Sequence, residues 1–159
     1  MGLDWRTGGL ASPVSRGAVM PPMFFPLPRN GSAHAPTASF TVTKTAETTV
    51  VAVSGEIDLA VAGRFAALID QELRLRPRAL LIDATGLTFC AARGLTVLLD
   101  ATSDALIAGV PFAICGRCRP LLRPIELLGL DHALPLHSST ADALAWLAVL
   151  PQLRGLDIR

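Results

Sequence analysis

Cysteine and carboxylate side chains are where chemistry would be sought in this 159-residue chain, and they fall into three groupings. Cys115 and Cys118 form CGRC, a spacing that suits a redox dithiol when a helix N-terminus lowers the pKa of the first thiol. Cys90, Cys115 and Cys118 with either His132 or His137 would supply four zinc ligands, but the spacing of the histidines is not diagnostic, and no metal is expected. Glu56, Asp58 and Asp83 fall near the ends of predicted strands, where carboxylates ordinarily cap helices or face water. No nucleophile is paired with a base, so a binding module without a cofactor is expected rather than an enzyme. Buried structural thiols are the commoner reading of the cysteines.

Composition narrows the class. With 51% hydrophobic residues the chain can bury one core of ordinary domain size. Its 14 basic and 13 acidic residues give a net charge of +1 and are dispersed. No basic face is legible, so no nucleic acid partner is expected. Proline, Asp100 and Asp104 interrupt the best apolar stretches, and no run reaches the roughly 18 residues of a membrane span. Three cysteines are an odd number and too few for a disulfide scaffold, which favours a reducing cytoplasm.

The elements that must position these residues are organised around ALLIDATGLTFCAARGLTVLLD at 79–100. The apolar run at 79–82, stopped by Asp83, predicts a strand covered on both faces. From Gly94 the period changes, and Leu95, Leu98, Leu99, Thr102 and Leu106 recur at helical spacing, so a helix is expected to open near Ala92. Before this unit, 40–44 and 49–54 alternate as strands around a hairpin turn at 46–48. SGEID at 54–58 then leads into a helix carrying Val61, Phe65, Leu68, Ile69 and Leu73, capped by Asp58 and ended before Pro77. After it, 110–115 reads as a strand, 120–128 as a short helix stopped by Gly129, and 134–137 as a last strand. Ser139 or Thr140 caps the final helix, whose buried stripe is Leu144, Leu147 and Ala148, and Pro151 closes it.

The fold class is therefore α/β, a mixed and mostly parallel sheet covered by helices in the order ββαβαβαβα. The domain is expected over 39–151. Residues 1–38 are rich in proline and glycine without apolar periodicity and are expected to be a disordered tail, within which Met20 or Met23 are alternative starts. No signal peptide is expected, because proline breaks 18–27 three times. The apolar MPPMFFPLP in that tail is a docking candidate. Residues 152–159 are expected to form a loose end.

Five short motifs in order carry a resemblance: SGEID at 54–58, LIDATGLTF at 81–89, GLTVLL at 94–99, ELLGLD at 126–131 and STADAL at 139–144. Over about 40–150 the chain resembles the STAS domain family, the anti-sigma factor antagonists. The resemblance implies a cytoplasmic switch protein that binds a serine-kinase-type anti-sigma factor and so frees a sigma factor. In such systems the kinase phosphorylates a serine at the start of the central helix, which breaks the complex.

The family pattern there is Phe, an apolar residue, Asp, Ser, a small residue and Gly-Leu. This chain reads Phe89, Cys90, Ala91, Ala92, Arg93, Gly94, Leu95. Ala91 stands where the acid is expected and Ala92 where the phosphorylated serine is expected, so the resemblance implies a degenerate, non-phosphorylatable site. Thr88, before the turn, and Thr96, inside the helix, are poor substitutes. The turn also breaks local rules. Two alanines give up a cap interaction of about 0.5–2 kcal/mol, and Arg93 sets a cation at the positive end of the helix dipole. Such a departure marks either a functional surface or drift after the switch was lost.

The partner-binding residues expected from the crossover loops are Glu56, Asp58, Phe89, Cys90, Ala91, Ala92, Arg93 and Gly94. A STAS-type regulatory module for another signalling partner is the alternative, and a second copy of the chain is a further candidate partner. A thioredoxin-like oxidoreductase using Cys115 and Cys118 is less favoured, because its dithiol lies early in the domain, whereas here only about 40 residues follow. Cys90 with Cys115 or Cys118, or the latter two together, are candidate redox pairs if their Cα atoms come within about 7 Å.

Overall fold

A hairpin opens the domain. In the computed structural model, which describes residues 38–156, β1 (Ala38–Lys44) and β2 (Thr49–Ile57) pair antiparallel from Ala38 opposite Gly55 to Lys44 opposite Thr49. The turn is held by Thr45, whose hydroxyl accepts from the Glu47 and Thr48 amides and whose own amide donates to the Thr48 carbonyl at 3.0 Å. Ala38, assigned above to the tail, is the first residue of β1 and is buried. The other tail residues lie outside the described ones.

The remaining elements follow as α1 (Leu59–Arg74), β3 (Leu80–Cys90), α2 (Ala92–Ala108), β4 (Phe112–Cys115), α3 (Arg119–Leu128), β5 (Leu136–His137) and α4 (Thr140–Leu156). The sheet order is β1-β2-β3-β4-β5, with β2 to β5 parallel. Side chains alternate across each strand. Leu80, Ile82, Phe112 and Ile114 therefore meet α1, α2 and α3 on one face, while Leu81, Ala113 and Cys115 meet Ala143 and Leu147 of α4 on the other. The larger core is anchored by Phe65, Ile69, Leu98, Leu121 and Ile125, all within 2% of full burial. Each contributes roughly 1.5–3 kcal/mol by leaving water. Phe65 also stacks on Phe40 at 5.5 Å, which ties α1 to the edge strand.

Several element ends and two buried stripes differ from the sequence reading. Strand β3 does not stop at Asp83 but runs to Cys90, and β2 runs to Ile57, because the two continue to pair through register shifts at Ala52/Ser54 and Gly55/Glu56. Asp83 is accommodated on the α4 side, where its carboxylate accepts from the Thr85 amide and hydroxyl. The close approach there requires Gly86, since a Cβ would lie 2.8 Å from that of Ser54. On α2 the buried stripe is Leu95, Val97, Leu98, Ala101 and Ala105, and Leu106 is 68% exposed. On α4 Leu147 is buried with Ala143, while Leu144 and Ala148 are exposed, because a lone helix over this face rests on a narrow ridge. Finally, α4 passes Pro151 and continues to Leu156. Proline's fixed φ is compatible with a helix even though one helical hydrogen bond is lost. Residues 152–156 are thus helical rather than a loose end. Residues 157–159 lie outside the described ones.

Candidate partner-binding edge

Parallel strands bring the loops after β2, β3 and β4 to one edge of the sheet. The register places Glu56 opposite Phe89 and Ile57 opposite Cys90. Ile57 then holds the turn: its carbonyl accepts from the Ala91 amide at 2.8 Å. Its side chain also fills the space below Gly94, where a Cβ would lie 2.8 Å from Ile57 Cγ2 and 2.9 Å from Cys90 Sγ. Gly94 is therefore demanded by space, and a side chain there would push the helix off the strand. Ile57 was missed in the sequence because β2 was ended at Ser54.

The eight expected partner-binding residues separate into two sets. Glu56, Phe89, Ala92 and Arg93 are exposed, with Phe89 at 48%. Asp58 and Ala91 are half-buried, and Cys90 and Gly94 are buried beneath the turn. Asp58 is occupied as the N-cap of α1, its Oδ1 accepting from the Val61 amide at 2.8 Å. At α2 the N-cap is Ala91, in extended backbone with no side-chain bond to the helix amides. Ala92 is the first helical residue and faces solvent. Thr88 is exposed on β3, and the Thr96 hydroxyl donates to the Ala92 carbonyl at 3.1 Å within the helix.

The thiols are divided by the sheet. Cys115 lies on the α4 side, its sulfur 3.5 Å from the Thr140 hydroxyl. Cys90 and Cys118 lie with the larger core, and the Cys118 thiol donates to the Ala84 carbonyl at 3.4 Å. The register sets Cys115 opposite Asp83, well back along β3 from Cys90, which keeps that pair apart, whereas Cys118 lies near enough to Cys90 to act on its thiol. Burial, and then the neighbouring Cys118, push the Cys90 thiol up to about 11. Burial also raises Cys115 and Cys118; at Cys115 the Thr140 hydrogen bond opposes the rise and Asp83 adds to it, and at Cys118 backbone hydrogen bonds oppose it. Raised thiols are poor nucleophiles at neutral pH. Among the described residues no group of three or more His, Cys, Asp or Glu side chains is placed to hold a metal, which leaves the zinc set unassembled.

The domain's relatives fit this arrangement. The family model described as "Mlab, STAS domain" matches residues 40–137. The chain belongs to the STAS domain family of anti-sigma factor antagonists. It is 37% identical to the anti-sigma-F factor antagonist RsfB of Mycobacterium tuberculosis over 60% of this chain and 77% of that protein. An anti-sigma factor antagonist from Mycobacterium paratuberculosis superposes with a TM-score of 0.66 at 32% identity, over 72% of this chain and 97% of that one. The anti-sigma factor antagonist SpoIIAA in its unphosphorylated form shares the fold, with a TM-score of 0.56 at 16% identity over 74% of this chain and 97% of that one. Among the described residues no helix is long and apolar enough to cross a membrane.

Proposed function

We propose that this protein binds a serine-kinase-type anti-sigma factor in the cytoplasm, through the edge formed by Glu56, Phe89, Ala92 and Arg93, and so releases a sigma factor. It acts by occupancy rather than catalysis. In this reading the complex is not dissolved by phosphorylation at the head of α2, because Ala92 offers a methyl group where a hydroxyl is needed. The observation that carries the proposal is the exposed, uncapped start of α2 in a STAS domain, with Ala91, Ala92 and Arg93 standing there. A phosphate at this place would add roughly 1.5–2 negative charges against a docked partner; without an acceptor the edge stays constant.

Arg93→Glu tests the placement by titration against the purified anti-sigma factor. Affinity is expected to fall about tenfold or more, a rim-to-core charge effect of at least 1.4 kcal/mol, while Glu47→Gln at the opposite edge leaves it within about twofold. Unchanged binding by Arg93→Glu together with a loss at the opposite edge would refute this surface.

A further inference from the structure

Helix starts in this domain are of two kinds. α1 is capped by Asp58, and α4 carries Asp142 in its first turn, so both set negative charge at the positive end of the helix dipole. By contrast, α2 and α3 have no acidic residue in the first turn and no side-chain cap, their N-caps being Ala91 and Cys118. Both instead carry arginine: Arg93 in the first turn of α2, and Arg117, Arg119 and Arg123 around the start of α3. All four are exposed, and none makes an ion pair among the described residues, where the ion pairs are Lys44 with Glu72, Arg74 with Asp70, and Arg78 with Glu47. Arg119 and Arg123 are four residues apart on the face of α3 opposite the buried Leu121 and Ile125, and like charges at that spacing repel. Within the isolated domain Arg119 is thus unfavourably placed twice over, at the positive end of the dipole and beside Arg123, while Arg123 has Glu126 three residues on along the same face.

Their position continues the edge described above. β3 and β4 are parallel neighbours, so α2 and α3 start from the same side of the sheet, and the Cys118 thiol at the head of α3 bonds to Ala84 of β3. Across that edge the strand order β2, β3, β4 fixes a sequence of chemistry: the acidic Glu56, then the apolar Phe89 leading into the head of α2, then Arg117, Arg119 and Arg123, while Arg93 lines the groove between α1 and α2. We propose that Arg117, Arg119 and Arg123 form a second half of the docking surface, which pairs with an acidic face of the partner protein. This rests on the proposed binding of an anti-sigma factor and gives its partner a definite charge pattern: apolar at the centre, acidic where it meets α3. Arginine suits this role because its guanidinium engages carboxylates in pairs of parallel hydrogen bonds.

The test is titration of full-length wild type, Arg117→Glu, the Arg119→Glu/Arg123→Glu double variant and the control Arg76→Glu, against each purified kinase-type anti-sigma factor of the source organism at low and moderate salt. Thermal melting of each variant and binding of a fluorescent single-stranded DNA are measured alongside. The expected result is that the α3 variants bind about tenfold or more weakly, with a shallower salt dependence, while Arg76→Glu matches wild type. The Tm of the α3 variants should be unchanged or higher, since the charge at the helix start has been reversed to the favourable sign. Wild-type binding that the α3 variants leave within about twofold overturns this inference and leaves the proposed function standing. A lowered Tm accompanying the affinity loss overturns it in favour of a structural role. Tighter binding to the DNA than to any anti-sigma factor, lost in the same variants, overturns it in favour of nucleic acid. Failure of wild type to bind any of these anti-sigma factors defeats the proposed function and this inference together.

Discussion

Cys90 shows how one side chain under the turn reports on the whole domain. Its thiol is 9% exposed and sits against Gly94, and its pKa is raised from the ordinary 9.0 to about 11, first by burial and then by Cys118. A raised pKa means that the folded state keeps its proton at a pH where the unfolded chain has lost it. This contribution to stability is therefore full below about pH 9 and is lost as pH rises toward about 11. Urea unfolding of wild type and Cys90→Ala from about pH 8 to about pH 11 checks it. The wild type should lose stability more steeply above pH 9, and equal slopes would contradict the shift. The identity of this cysteine as buried was only one of the readings its sequence allowed. Spacing shows that Cys115 and Cys118 are close in the chain, but a strand end between them sends their side chains to opposite faces of the sheet.

At the scale of elements, the start of α2 is the sharpest case. Ala91 is its N-cap with extended backbone and no side-chain bond, and the Gly94 amide, the counterpart of the Val61 amide that Asp58 holds in α1, is left with only the Ala91 carbonyl at 2.9 Å. Ala91→Asp is expected to stabilise the isolated domain by about 0.5–2 kcal/mol, read as a higher urea midpoint at unchanged slope. A lower midpoint would show that the turn is already satisfied. Most elements were legible because their signals are local. Asp58 before an apolar stripe located α1, Gly129 with φ of 63° ended α3, and Gly94 marked the change of period into α2. What was not legible depended on neighbours. The far half of β3 alternates poorly in sequence, since bulges against β2 and the close approach at Gly86 decide its faces. Leu106 and Leu144 fall at the right spacing for burial, yet small residues next to them, Ala105 and Ala143, are the ones that touch the sheet layer.

At the scale of the molecule, a sheet with three helices on one face and one on the other leaves its parallel strand ends as a continuous edge. The acidic, apolar and basic groups on that edge come from separate segments of the chain, the ends of β2 and β3 and the start of α3. Arg117, Arg119 and Arg123 are already neighbours in the sequence, and what the crossovers add is their place on the same edge as Glu56 and Phe89. The central claim is that this STAS domain engages a kinase-type anti-sigma factor without a phosphate switch. The most direct test is to assemble the wild-type complex, add ATP and magnesium, and follow both the intact mass of this chain and the fraction still bound. The Ala91→Asp/Ala92→Ser variant runs in parallel. The account predicts that wild type keeps its mass and stays bound while the variant gains one phosphate and is released. Stoichiometric phosphate on the wild-type chain, with loss of the complex, would contradict it.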